Sequence, residues 1–136
     1  MQDVKLIECP RDAMQGIKDW IPTHKKVEYI QSLLGCGFDT IDFGSFVSPK
    51  AIPQMVDTTK VLSGLDLSST TTKLLAIVAN VRGAQAAVAH PEITYLGYPF
   101  SISENFQMRN THKTIAQSIA TLSEILALAA ASNKQV

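Results

Sequence analysis

The sequence predicts an α/β protein whose parallel sheet is assembled from about four strand–helix units. Apolar runs with a strand period alternate with runs of helix period along the chain, every strand run is short, and the connections are too long for hairpins. Two architectures satisfy that pattern, an open doubly wound sheet and part of an eight-unit barrel, and the pattern alone leaves both standing.

Residues 4–9 form the first β-prone run, closed by Pro10, which has no N–H to give a sheet ladder. Thr23 is placed to cap a helix in which Val27, Ile30 and Leu34 line one face, and Gly35 and Gly37 offer left-handed conformations to end it. Residues 40–43 read as a second strand broken at Gly44. Ser48 and Pro49 then open a helix with Ile52, Met55, Val56, Thr59 and Leu62 on a shared face. The polar loop 68–72 leads to residues 74–79, apolar without alternation, as in a strand covered on both faces. An Ala-rich helix over 83–89 ends at His90 and Pro91, and residues 93–98 make the fourth strand. From Thr114 a stripe of Ile115, Ile119, Leu122, Leu126 and Ala129 predicts a long helix packed on the sheet.

Composition narrows the function. The 136 residues are 46% hydrophobic and 18% charged, so a core of one domain is expected, without linker or low-complexity tract. Twelve basic residues balance twelve acidic ones, which removes the electrostatic case for nucleic acid or an anionic membrane as main partner. Cys9 and Cys36 are too few for a disulfide scaffold and lack zinc-site spacing. Residues 1–5 show no basic-then-apolar leader, and the most apolar stretch, 122–131, is about half of what a bilayer requires. A soluble, cytoplasmic protein is expected.

In either architecture ligands bind beyond the carboxyl ends of the strands. The residues that follow the strands are Arg11, Asp12 and Gln15; Asp42, Ser45 and Ser48; Asn80; and Ser101, Ser103 and Glu104. Such positions also cap helices, so each carries a structural alternative. Asp12 offers a hard oxygen suited to Mg²⁺ or Mn²⁺, and the adjacent guanidinium of Arg11 can neutralise a developing enolate or carboxylate. Gly35-Cys36-Gly37 is no dinucleotide fingerprint, because Thr40 stands where the third glycine belongs and the segment precedes a strand. His24, His90 and His112 are widely separated and read as solvated surface residues. Trp20 reads as a packing aromatic.

Pro10-Arg11-Asp12-Ala13-Met14-Gln15, Gly44-Ser45-Phe46-Val47-Ser48-Pro49-Lys50 with Ile52-Pro53-Gln54-Met55, Val78-Ala79-Asn80-Val81-Arg82-Gly83 and Ser103-Glu104-Asn105-Phe106 occur in this order. Together they closely resemble the amino-terminal half of hydroxymethylglutaryl-CoA lyase, a family similar to the metal-dependent lyases and synthases on TIM barrels. The resemblance implies the first four units of a (β/α)₈ barrel and a partial catalytic domain over 1–136. It implies metal-dependent cleavage of an acyl-CoA, 3-hydroxy-3-methylglutaryl-CoA, to acetyl-CoA and acetoacetate, as in leucine breakdown. By that likeness Asp12 would ligate a divalent cation (Mg²⁺ or Mn²⁺), and Arg11 and Asp42 would be catalytic. Gln15, Ser45, Asn80 and Asn110 would contact substrate.

Asp42 stands where the resemblance leads one to expect glutamate, and Ala13-Met14 where it leads one to expect Gly-Leu. A full barrel takes about 250 residues. The family's His-x-His ligands, later asparagine and lid cysteine would thus lie outside a truncated chain that is inactive alone. Its open edges would favour a homodimer or another association. Two alternatives stand beside this reading, a condensing synthase of the isopropylmalate or citramalate type and a non-catalytic half-barrel.

Overall fold

The computed structural model describes residues 4–136, so residues 1–3 of the 1–5 segment read for a leader lie outside the described residues. Four parallel strands, β1 (Ile7–Glu8), β2 (Thr40–Ser45), β3 (Lys73–Ile77) and β4 (Ile93–Gly97), pair in the order β1-β2-β3-β4. Each connection therefore advances by one strand in the same direction. With right-handed crossovers, every helix then lands on the same face of the sheet, whereas a doubly wound sheet must reverse its order. The molecule is half the wall of an α/β barrel.

Register separates the two faces, because residues paired across parallel strands point the same way. Ile41, Leu74, Ala76, Ile93 and Leu96 face the helices and are fully buried. Asp42, Leu75 and Tyr95 share the concave inner face, with Thr40 and Ile7 beside them. That face is partly open: Ile7 is 55% exposed, and the expected two-sided cover of the third strand becomes an alternation of buried and half-buried residues. After the last helix the chain returns to the sheet edge, where Gln135 makes a parallel bridge to Tyr95.

Among the described residues six α-helices accompany the sheet: α1 (Pro10–Gln15), α2 (Thr23–Leu34), α3 (Thr58–Ser63), α4 (Val81–Val88), α5 (Glu104–Thr111) and α6 (Ile115–Ala131). Several differ from the sequence expectation. The first strand shrinks to two residues, since only Ile7 and Glu8 find partners on β2. Gly44 does not break β2: the strand runs on to Ser45 with a register shift, and the missing side chain of Gly44 lets Thr58 pack against the backbone. A methyl group there would lie 2.6 Å from the Thr58 Cγ2. Thr58 also uses its hydroxyl on Ser45, accepting from the Ser45 N–H at 3.1 Å and donating to its carbonyl oxygen at 3.0 Å.

The single helix expected after Ser48 is a turn, a 3₁₀ segment (Pro53–Met55) and the short α3, and Val56 points to solvent. Thr23 is the first residue of α2, not its cap. Its hydroxyl donates to Asp57 at 2.7 Å. Gly35 ends α2 in right-handed geometry and only Gly37 turns left-handed, at φ 80°. Thr114 does cap α6, in a capping box with Gln117. The buried face of α6 is rotated from the expected stripe, however. Ser118, Ile125 and Ala129 face inward, while Ile119 and Leu126 are 51% and 48% exposed. Small residues at the contact let α6 approach α4, whose own buried residues are Gly83, Ala84 and Ala87.

Lys26 lies on the expected apolar face of α2 yet is buried. Its ammonium donates to Asp57 at 2.7 Å and to the Gln54 carbonyl at 2.5 Å, and sits 3.9 Å over the Trp20 ring. The Gln54 side chain donates to the carbonyls of Ile17 and Asp19 and accepts from the Ile21 N–H. One buried cation and one amide thus tie the loop after β1 to the loop after β2. Asp57→Ala leaves that ammonium without its counter-charge and is expected to cost about 3 kcal/mol in urea unfolding, whereas Lys26→Met with Asp57→Leu recovers most of the loss.

Candidate active site

Helix α1 starts immediately beyond β1, with Pro10 at its first position. That preset turn delivers Arg11 over the inner face. Arg11 Nε donates to both carboxylate oxygens of Asp42, at 3.2 and 3.1 Å, and Nη2 donates to Oδ2 at 2.5 Å. Nη1 donates to Asp12 Oδ1 at 3.1 Å and to Gln15 Oε1 at 2.9 Å, and Gln15 Nε2 donates to the same Asp12 oxygen at 3.0 Å. Every nitrogen of the guanidinium is engaged. Asp42 is its buried anchor, 6% exposed at the side chain, whereas Asp12 is 66% exposed and keeps Oδ2 clear of these contacts.

Electrostatics follow from that geometry. Burial pushes the Asp42 carboxyl above the ordinary carboxylate range, and the Arg11 contact pulls against the rise. Burial also disfavours the charge of Arg11, but the hydrogen bonds and attraction of Asp42 outweigh it and raise its pKa. The neighbouring Cys9 thiol is raised by burial and then by Asp42, so it stays protonated at neutral pH and is no nucleophile as it stands.

Above the pair opens a cavity of about 730 Å³, a size suited to a small ligand. Arg11, Gln15, Ser48, Asn80 and Asn110 all line it, on an apolar floor that includes Ile52 and Ile77. Four sequence-predicted positions thus meet the fifth, Ser48, at one rim. Ser45 lies outside this cavity. Its hydroxyl accepts from the Val47 N–H at 3.2 Å, and it lines an adjacent hollow with Asn80. Asn80 also caps α4 through the Gly83 N–H. Ser101, Ser103 and Glu104 serve the backbone: Ser103 caps α5 and Glu104 accepts from the Ile115 N–H. His112 and Lys113 line the cavity as well. Nothing in their spacing set His112 apart from the other two histidines, because the turn between α5 and α6 that brings both residues to the rim is a tertiary feature. Among the described residues no three His, Cys, Asp or Glu converge on a metal position. Asp12 is a single exposed carboxylate at this rim, and the described residues do not make up a complete metal site.

A Bos taurus mitochondrial hydroxymethylglutaryl-CoA lyase is 35% identical over 138 residues, covering 99% of this chain. An HMG-CoA lyase from Acinetobacter baumannii, solved with coenzyme A and 3-methylmalate, superposes with a TM-score of 0.88 over 96% of the chain at 33% identity. The Bacillus subtilis enzyme gives 0.90 at 31% identity. In sequence and fold, nearly the whole chain is similar to part of the hydroxymethylglutaryl-CoA lyases. No family model matches it. The chain spans 41% of the length of the bovine lyase and 43% of that of the Acinetobacter lyase. These similarities agree with the architecture expected of a hydroxymethylglutaryl-CoA lyase and resolve the choice left open between barrel and doubly wound sheet.

Because the folded value of Asp42 stands above the unfolded one, its contribution to stability is present in full below the unfolded pKa and is lost as pH rises through the folded one. Carboxyl-resolved NMR is expected to place the Asp42 midpoint above that of an ordinary aspartate. Arg11→Met removes the opposing cation and is expected to raise the midpoint further; a fall would contradict the assigned causes.

Proposed function

We propose that residues 1–136 form a partial barrel domain carrying the Arg11–Asp12 wall of a carbon–carbon lyase acting on 3-hydroxy-3-methylglutaryl-CoA, with acetyl-CoA and acetoacetate as products. The observation that carries this reading is Arg11, immobilised by Asp42 at the carboxyl end of the inner face with Asp12 beside it. A guanidinium fixed before the reaction stabilises the enolate oxygen that develops as the carbon–carbon bond breaks, without reorganising at that moment. Asp42 holds that cation in place and, deprotonated, is the carboxylate nearest to it. Gln15, Asn80 and Asn110 line the same cavity and orient the acyl group by hydrogen bonds; Ser45 shapes the loop that carries Ser48.

Asp12 would supply one oxygen to a divalent cation, Mg²⁺ or Mn²⁺, which when bound would lower the pKa of the substrate hydroxyl. The remaining ligands must come from outside these residues, so the chain alone is proposed to be inactive. The relatives carry both mitochondrial and cytoplasmic names. A cytoplasmic place for this chain is our proposal. No single helix among the described residues is long and apolar enough to cross a membrane.

A second reading, self-association through the open edges, is favoured by exposed Val4, Leu6 and Ile7 on the β1 side and Phe100, Leu126 and Val136 beyond β4. Sedimentation velocity decides it: a dimer supports association, and a monomer across the accessible concentration range removes it. The lyase reading is tested by joining this chain to the remaining barrel of a relative and following acetoacetate release. Asp12→Asn is expected to lower the rate by about 100- to 1000-fold, and Asp42→Glu to retain or raise it. Unchanged cleavage in Asp12→Asn would overturn the assignment.

A further inference from the structure

We propose that Gln54, which does not line the Arg11 cavity, is the positioning residue that aims Arg11: it grips the loop leaving α1 and so sets the orientation of that helix over Asp42. This rests on the reading of Arg11 as the group that meets the developing enolate, and adds what holds it in line.

Helix α1 cannot orient itself. Six residues are too few for a helix that stands alone, and its buried residues are Pro10 and Met14. Apolar burial is non-directional, so these two fix how deep the helix lies and leave its tilt and rotation to whatever grips its ends. At the first end that is β1. The second end runs through Gly16 into the irregular loop 17–22.

Gln54 grips that loop. Its Nε2 donates to the Ile17 and Asp19 carbonyls, each at 2.9 Å, and its Oε1 accepts from the Ile21 N–H at 3.1 Å. Only a primary amide can donate twice and accept once at such a place, and this one is 4% exposed. It is held in turn: Lys26 donates to the Gln54 carbonyl and to Asp57, and Asp57 accepts from the Thr23 hydroxyl. The grip reaches the guanidinium by one route. Gln15, the last residue of α1, adjoins the held loop through Gly16, and it accepts from Arg11 Nη1 at 2.9 Å. Gly16 on one loop and Ile52 on the other line the cavity, while Gln54 joins the two loops outside it. A misplacement of about 1 Å passed along that route is enough to spoil a transition-state contact.

NMR of the full chain tests this. The Nε–H of Arg11, bonded to a carboxylate, is expected to resonate apart from those of the exposed Arg82 and Arg109. In Gln54→Met, close in size and without hydrogen bonds, that signal is expected to move toward the other two. Its exchange with water is expected to rise about tenfold beyond any change in the β3 amides, the mark of a local release. Ile125→Val, a loss of packing in α6, is expected to leave the Arg11 signal in place. Gln54→Glu, which keeps the acceptor and loses both donors, serves if circular dichroism shows the Met variant unfolded, and is read in the same way. An Arg11 signal that stays at its wild-type position, or that moves as far in Ile125→Val, overturns the proposal. In the hybrid with a relative's remaining barrel, Gln54→Met is expected to lower kcat about tenfold with KM within about twofold. An unchanged kcat beside a displaced signal also overturns it. A hybrid that is inactive with Gln54 intact sinks the lyase reading and leaves the aiming of Arg11 to stand or fall on the NMR result.

Discussion

A guanidinium and a carboxylate 31 residues apart join the first unit of this barrel wall to the second. Arg11 reaches from a helix of six residues to Asp42 in the strand beside it, and the two meet on the inner face with both side chains largely withdrawn from water. Desolvating both partners costs much of what their attraction returns, so such a pair contributes more to orientation than to stability. What it orients here is the cation at the mouth of the cavity. Gln15 and Asp12 then take their places from the remaining nitrogen, and the exposed oxygen of Asp12 is turned outward.

The sheet makes that arrangement available. Because the strands are parallel, all four carboxyl ends deliver their loops to one rim, and because they follow one another in sequence order the face opposite the helices is left for chemistry. Two buried amides and one buried ammonium hold the loops at that rim. Gln54 and Lys26 fasten the loops after β1 and β2, and Gln107 fastens the segment after β4. The loop after β3 is held by Asn80, which both caps α4 and faces the cavity.

Strands and rim positions were legible because β-prone apolar runs and the polar residues after them are local signals. What escaped was tertiary. Helix α1 has too few residues for an apolar period, and α5 is too polar to show a buried stripe. Lys26 looks like a solvated residue in sequence, since its partner Asp57 is brought to it only by folding. The inward face of α6 is misread from its large side chains because Ser118 and Ala129, not Ile119 and Leu126, make the contact. Of the site, Arg11, Gln15, Asn80 and Asn110 were anticipated at one cavity, whereas Lys113 depends on a turn that hydrophobic patterning does not signal.

The central claim is that Asp42 and Arg11 act as a unit. A double-mutant cycle with Arg11→Met and Asp42→Leu, read by denaturant unfolding at neutral pH, measures that directly. The account predicts a coupling of about 1–3 kcal/mol, each single change leaving a desolvated partner behind. Additivity within about 0.3 kcal/mol would contradict it.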